Sequence, residues 1–207
     1  MSRNQKNRSS IYIEGERVAF VEVEEKYFPY IIKWRNDPEN NAFLNQTTRL
    51  TMDSQRDWYE TYKNDDTQGL LIMLDKMRGN IPFGTNGWTD YDPVERVCIT
   101  GRLLVGDMRY RGSVEFIEAM LLYTDYIYDE MGVDLCYGHI AKANIASMRF
   151  NKHIGFHSSA GYPTYEFRNV PHVDGLRLVE VVRSRADWQQ VRGTLVQMID
   201  AYGRRTK

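Results

Sequence analysis

Apolar and polar positions alternate roughly every second residue over 11–24 (IYIEGERVAFVEVE), and Glu14-Gly15-Glu16 breaks the alternation. That pattern predicts a strand interrupted by a turn. Over 26–36 (KYFPYIIKWRN) the period becomes helical, and Asn36-Asp37-Pro38 ends it, because a residue before proline resists the α region. Thr51 suits the N-cap of a second helix, Met52 to Lys63. Gly69 to Lys76 (GLLIMLDK) reads as a buried strand, followed by strands at Phe83 to Thr89 and Val97 to Val105. Arg78-Gly79-Asn80 and Asp92-Pro93 are short connections, so these three strands are expected to run antiparallel. From Ser113 to Met131 apolar residues recur at 114, 117, 120, 121, 127, 128 and 131, a helical stripe that leaves Glu115, Glu118, Asp125 and Asp129 mostly outside it. Asp134 to Ile140 is a strand, Asn144 to Ile154 a helix stopped by Gly155, and strands are expected around Thr164–Phe167 and Leu176–Val182. The last helix runs from Arg185 to Tyr202 with Ser184 as its candidate N-cap.

This order predicts an α/β protein. Its core is a mixed, mostly antiparallel sheet of about six to seven strands with helices on both faces and an extra C-terminal helix. The late strand–helix–strand passage supplies one parallel pair. Residues 1–10 read as a short polar tail without order, 11–183 as one domain, and 184–207 as a helix packed on that domain or at a homodimer contact. The chain has 207 residues, 42% of them hydrophobic, enough for a substantial core. With 27 basic and 28 acidic residues it lacks the charge bias of a nucleic-acid binder. No apolar run is long enough to span a bilayer, and the N-terminus lacks the apolar core of a secretory signal. The two cysteines, Cys98 and Cys136, make neither a CxxC pair nor a disulfide framework, so the expected location is cytoplasmic. Nothing points to a metal.

The segment 106–120 (GDMRYRGSVEFIEAM) places Arg109, Arg111 and Gly112 between an apolar strand and the start of the strongest helix. A helix N-terminus carries unpaired N–H groups and a partial positive charge, which favours an anion, above all a phosphate. Glycine lets backbone approach a ligand closely. The other reading is an ordinary strand–turn–helix corner. The P-loop pattern GxxxxGK[ST] and the dinucleotide fingerprint GxGxxG are both absent.

A second segment, NIASMRFNKHIGF at 144–156, changes the balance. Together the two segments resemble the GNAT acyltransferase superfamily, whose signature is [QR]xxGx[GA] at the start of the long central helix, followed by a strand and an NxxSxxxxxxxGF-like run. Arg109 and Gly112 match the first pattern; Asn144, Ser147, Gly155 and Phe156 match the second. WRNDPEN at 34–40, the helix carrying Thr51 and Trp58, and TGRLLVGD at 100–107 are similar to the branch of ribosomal-protein and amino-sugar N-acetyltransferases. The likeness covers roughly residues 15–182.

The resemblance implies a GNAT-like sheet, acetyl-coenzyme A as cosubstrate, and no metal. It places the pantetheine arm along the main chain of Leu103, Leu104 and Val105. The pyrophosphate then lies on the N–H groups of Arg111, Gly112, Ser113 and Val114, with Arg109 close by and Asn144 in contact with the coenzyme. Asn144 reads equally as a plain helix N-cap. Val114 departs from the family's small residue at that position. Where many members place a tyrosine beside the sulfur, this chain has Asn151; Ser147 or water are the other candidates for aiding the departing thiolate. His139 is the first choice for the base that takes the amine's proton, because an ordinary histidine titrates in the useful range. A structural histidine is the competing reading, and Asp92, Glu95 and Glu166 are weaker candidates.

The implied acceptor site draws on Trp34, Arg35 and Asn36, the segment 40–49, and residues near Tyr162–Phe167. Aromatic faces beside hydrogen-bonding groups suit a sugar. The competing reading makes Trp34 core and Asn36–Pro38 a turn. The acceptor expected is a small-molecule amine, preferably an amino sugar, nucleotide-linked in the enzymes this text is similar to. A protein N-terminus is the alternative acceptor, and a coenzyme-binding regulatory module without catalysis is a reading of another class.

Overall fold

The structure is a computed structural model that describes residues 12–44 and 46–205. The expected N-terminal tail therefore lies outside the described residues. The first strand pattern folds as a hairpin: β1 (Tyr12–Glu14) and β2 (Val18–Glu22) pair antiparallel around the Glu-Gly-Glu break. The helical run follows as α1 (Phe28–Asn36) and a single turn α2 (Pro38–Asn41), then α3 (Met52–Tyr62). Thr51 does cap α3, in a reciprocal box with Ser54: each side chain accepts the other's backbone N–H. Strands β3 (Gly69–Asp75), β4 (Ile81–Asp92) and β5 (Val97–Val105) form the antiparallel meander that short turns demand.

After β5 comes α4 (Val114–Asp125), whose last turns widen into a π-type stretch at Tyr126–Glu130. β6 (Leu135–Ala141), α5 (Ile145–His153), β7 (His157–Ser158), β8 (Leu178–Ser184) and α6 (Arg185–Arg205) complete the chain. The sheet order is β1-β2-β3-β4-β5-β6-β8-β7, with β5–β6 as its parallel pair. Eight strands stand where about six to seven were expected, because the opening run supplies two and β7 forms an edge.

One expected strand is absent. Residues around Thr164–Phe167 lie in the long connection between β7 and β8. There the backbone N–H groups of Arg168 and Asn169 donate to the carboxylate of Asp90, both at 3.0 Å, rather than to a neighbouring strand. Tyr165 and Phe167 use their rings instead, packing on Tyr137 of β6 at 5.7 and 5.3 Å between centroids. The aromatic alternation that resembles a strand is thus a lid of rings over a small cluster of Ile99, Tyr137 and Val182.

Two larger cores flank the sheet. One joins α4, α6 and α5 to the sheet through Phe116, Met120, Tyr123, Phe156, Trp188 and Leu195. The other lies under α1 and α3 and includes Phe28, Ile31, Tyr62 and Ile72. α6 is tied to α4 where Trp188 Nε1 and the Arg192 guanidinium converge on Asp125, at 2.9 and 2.8 Å. Among the described residues no helix is long and apolar enough to cross a membrane.

Candidate active site

β5 and β6 pair only at Val97–Leu135, Cys98–Cys136 and Ile99–Tyr137. Beyond that point β5 stays with β4 as far as Val105, and β6 stays with β8 as far as Ala141. The last tie between them is a long hydrogen bond from Thr100 Oγ1 to the Tyr137 carbonyl at 3.5 Å. The two strands therefore part, and the β5 edge that carries Leu103, Leu104 and Val105 faces the opening. A strand edge without a partner presents backbone donors and acceptors that must be met by something else. The parting coincides with an irregularity in β5: the register against β4 shifts between Thr85 and Gly87, and Arg102 takes φ +55°.

At the end of β5 the chain turns into α4 through the segment singled out in the sequence. Gly106 lies under Trp34, so close that a Cβ there would sit 2.0 Å from the indole. Trp34 is only 5% exposed. It is a wedge under this corner, and the expectation that it contacts an acceptor gives way to the core reading. Tyr110 plugs the turn into the sheet: its hydroxyl donates to Asp75 Oδ2 at 2.6 Å and its ring stacks on Phe83 at 4.4 Å. Gly112 has φ +73°, and nothing lies within 4 Å of the Cβ position, so the backbone there is open to a ligand. Ser113 caps α4 by accepting the N–H of Phe116 at 3.2 Å. Val114 is buried, its side chain turned into the protein.

Two expectations about this corner need correction. Arg111 N–H and Ser113 N–H donate to the carbonyls of Met108 and Tyr110, both at 3.1 Å. They are spent within the turn, which leaves Gly112 and Val114 as the amides of the expected four that bond to nothing in it. The guanidinium of Arg109 is held by both oxygens of Asp107, two residues earlier, rather than standing free beside the turn. Arg111 Nη2 donates to the side-chain oxygen of Asn40 at 2.6 Å, tying the turn to α2.

The N-cap Asn144 and, on α5, Ser147 and Asn151 follow one another at turn spacing. Asn144 Oδ1 accepts the Ser147 N–H at 3.0 Å, the N-cap role. Asn151 Nδ2 donates to the carbonyl and hydroxyl oxygens of Ser147 at 2.9 and 3.2 Å. Strand alternation puts His139 on the opposite face, with Tyr137, beyond the point of parting. Its side chain is 7% exposed; Nε2 lies 3.4 Å from Glu180 Oε2, and Nδ1 is buried with no hydrogen-bond partner among the described residues. Burial holds its pKa below the ordinary 6.5, against an opposing pull from Glu180. It is therefore a neutral imidazole near pH 7, the form that accepts a proton. None of the described contacts joins it to Ser147 or Asn151.

Asn36 is committed to structure: its amide donates to Leu50 O at 2.9 Å, and its oxygen accepts Leu50 N–H at 2.8 Å and Gln46 Nε2 at 3.2 Å. It clamps the segment between α2 and α3. Arg35 Nε donates to Gln46 Oε1 at 3.1 Å in the same region. Sequence reasoning missed Arg102. A charged residue inside the apolar run of β5 was the available signal.

The profile of the acetyltransferase (GNAT) domain family matches residues 17–157. An N-acetyltransferase 9-like protein of Nematostella vectensis is 24% identical over 162 residues, covering 73% of this chain and 80% of that protein. Among solved structures, spermidine N-acetyltransferase of Vibrio cholerae, in complex with CoA and spermine, has a TM-score of 0.69 at 12% identity, covering 84% of this chain and 99% of that one. Apo FdhC, a nucleotide-linked sugar GNAT, also has a TM-score of 0.69, at 15% identity over 91% of this chain and 98% of that one.

The Tyr110 anchor has a pH signature. Burial, with Asp75 adding to it, pushes the Tyr110 phenol up to about 12 from an ordinary 10.0. In the unfolded chain the phenol ionises near the ordinary value, so above it the unfolded state binds fewer protons and stability falls as pH rises toward 12. Denaturant melts across that range are expected to show this fall, and Tyr110→Phe is expected to make it shallower. An unchanged slope in the variant would mean that Tyr110 does not hold the turn.

Proposed function

The chain belongs to the GNAT acetyltransferase family, and from that premise we propose that it moves the acetyl group of acetyl-coenzyme A to a primary amine, preferably on an amino sugar. The observation that carries the reading is the parting of β5 from β6 with the Gly112 turn at its end. The cleft offers a strip of free backbone to the pantetheine amides and, at its mouth, open N–H groups on a helix N-terminus for the diphosphate. The fit is one of main-chain geometry, which is why Val114 is compatible with it: the buried side chain leaves the amide free.

The coenzyme supplies an activated thioester. Holding both reactants in the cleft replaces an encounter in solution with a positioned one, which contributes much of the rate. His139 takes a proton from the acceptor ammonium, directly or through water, on the face opposite α5. Asn151 and Ser147, already bonded to each other, stand on the helix expected to flank the sulfur. A thiol is acidic enough, near about 8.5 in water, that its thiolate leaves with little help. A backbone N–H of the Leu103–Val105 strip meets the developing oxyanion.

For the acceptor, α3 offers Trp58 stacked on Tyr62 at 4.7 Å, a platform for the apolar face of a sugar ring. That favours an amino sugar over a protein N-terminus, which remains the second reading. The two buried free cysteines are consistent with a reducing, cytoplasmic setting. Met198 and Tyr202 on α6 are half exposed and are where a homodimer contact would form.

Gly112→Asp places bulk and negative charge at the open point of the turn. Affinity for acetyl-coenzyme A by calorimetry is expected to fall about 100-fold or more, the scale of bringing like charges together outside bulk water. Unchanged affinity would put the diphosphate elsewhere. His139→Ala is expected to lower kcat/KM by about 100-fold, the usual contribution of a positioned base, and most at the acid end, where little free amine exists. A variant whose pH–rate profile parallels the parent's would remove His139 as the base.

A further inference from the structure

The acceptor side of the sheet holds a cation that the coenzyme does not explain. Arg102 leaves β5 at its irregular point, on the face covered by α3. Its guanidinium carbon stands 5.8 Å from the ring centre of Trp58 and 5.9 Å from that of Tyr62. Nη2 donates to the side-chain oxygen of Gln68, whose own amide donates onward to Asp65 Oδ2 at 2.9 Å. The direct partner is thus a neutral amide, with the carboxylate one residue removed. Nη1 is buried and has no hydrogen-bond partner among the described residues. A buried, charged donor without an acceptor is costly, and such groups in native proteins call for an explanation.

Arg35 adds to the same field. Burial pushes the pKa of both arginines down; at Arg102 the neighbouring Tyr62 and Asp65 oppose this, while the charge of Arg35 adds to it. Both remain cations at neutral pH, because a guanidinium does not deprotonate there. Two positive charges therefore act on one volume beside the parted strands, next to an aromatic platform and on the face that carries His139.

We propose that the amine accepted here bears an anionic group, a phosphate or a carboxylate, and that Arg102 binds that group and so positions the amine at the cleft. This rests on the acceptor reading above and narrows it. A planar guanidinium matches an oxyanion geometrically as well as electrically. The neighbouring rings exclude water from the contact, which strengthens it. The same field repels a polycation, so a polyamine is the wrong acceptor for this site. It also disfavours the ammonium form of a nearby amine and so eases its deprotonation.

The test is a calorimetric titration of the protein saturated with CoA, so that the diphosphate turn is already filled. The probes are glucosamine, glucosamine 6-phosphate, glucosaminic acid and spermine. At least one of the two anionic amines is expected to bind about tenfold or more tightly than glucosamine, the scale of a charge-assisted hydrogen bond. Which of them does so separates a phosphate from a carboxylate. Arg102→Gln is expected to bring the preference below about threefold while CoA affinity is kept, that difference being less than a single net hydrogen bond. Should the Gln variant lose CoA binding, Arg102→Lys decides: a weakened preference supports the proposal and an unaltered one overturns it. Equal binding of glucosamine and both anions, tightest binding of spermine, or a preference that survives Arg102→Gln would overturn it as well. Thiol release with the same amines keeps the two readings apart. Anion-selective binding without turnover would sink the acceptor chemistry alone. Equally efficient turnover of neutral and anionic amines would sink the anion site alone.

Discussion

The architecture turns on where two parallel strands stop pairing. β6 keeps its full ladder with β8 from Leu135 to Ala141, and β5 keeps its ladder with β4 to Val105, so each is held by its outer neighbour. Between them only three residue pairs hold, ending at Ile99–Tyr137. Past that point the sheet opens, and backbone groups that would satisfy one another in a continuous sheet face a gap. The irregular backbone at Arg102 lies just beyond the last pair, where a bulge bends a strand and increases its twist. Everything proposed about the chemistry follows from this opening: a strip for a peptide-like arm, a helix N-terminus at one end, and two faces on which different residues meet the reacting groups.

The opening divides labour between the two sides of the sheet. On the α5 side stand Ser147 and Asn151, bonded to each other. On the other side stand His139, Arg102, Arg35 and the rings of α3. The second side is costly to build. It keeps a histidine neutral by burial and leaves a guanidinium N–H unmet. Structure elsewhere compensates: Asp90 fixes the connection between β7 and β8, Asn36 clamps the segment before α3, and Tyr110 locks the turn before α4 to β3. These anchors are polar, and two of them, Asp90 and Tyr110, are buried, the arrangement expected where a site must be preorganised.

Most of the fold was legible in the sequence because it rests on local signals. The Thr51 cap, the buried run of β3, the stripe of α4 and the Gly155 stop are each readable within a turn or two of chain. The expected strand at Thr164–Phe167 failed because its alternation reflected rings packing on Tyr137, while its backbone bonds went to a carboxylate some 78 residues earlier in the chain. The open turn at Gly112 was legible through its glycine and its helix start, yet the state of Arg109 was not, since an adjacent acid can pair with it or ignore it. Trp34 and Asn36 read as recognition residues because aromatic and amide groups serve both packing and binding; burial settles Trp34, and the bonds to Leu50 and Gln46 settle Asn36. Arg102 was hidden for the opposite reason: its meaning depends on Gln68, Trp58 and Tyr62, which reach it only through the fold.

The most direct test of this account is backbone amide exchange with and without acetyl-coenzyme A. If the arm lies along the opened edge and the diphosphate on the turn, added coenzyme slows exchange at Leu103–Val105 and at Gly112 and Val114 together, as one cooperative footprint. Protection confined to other segments, with these amides exchanging as before, would contradict the claim that the parted strands form the coenzyme site.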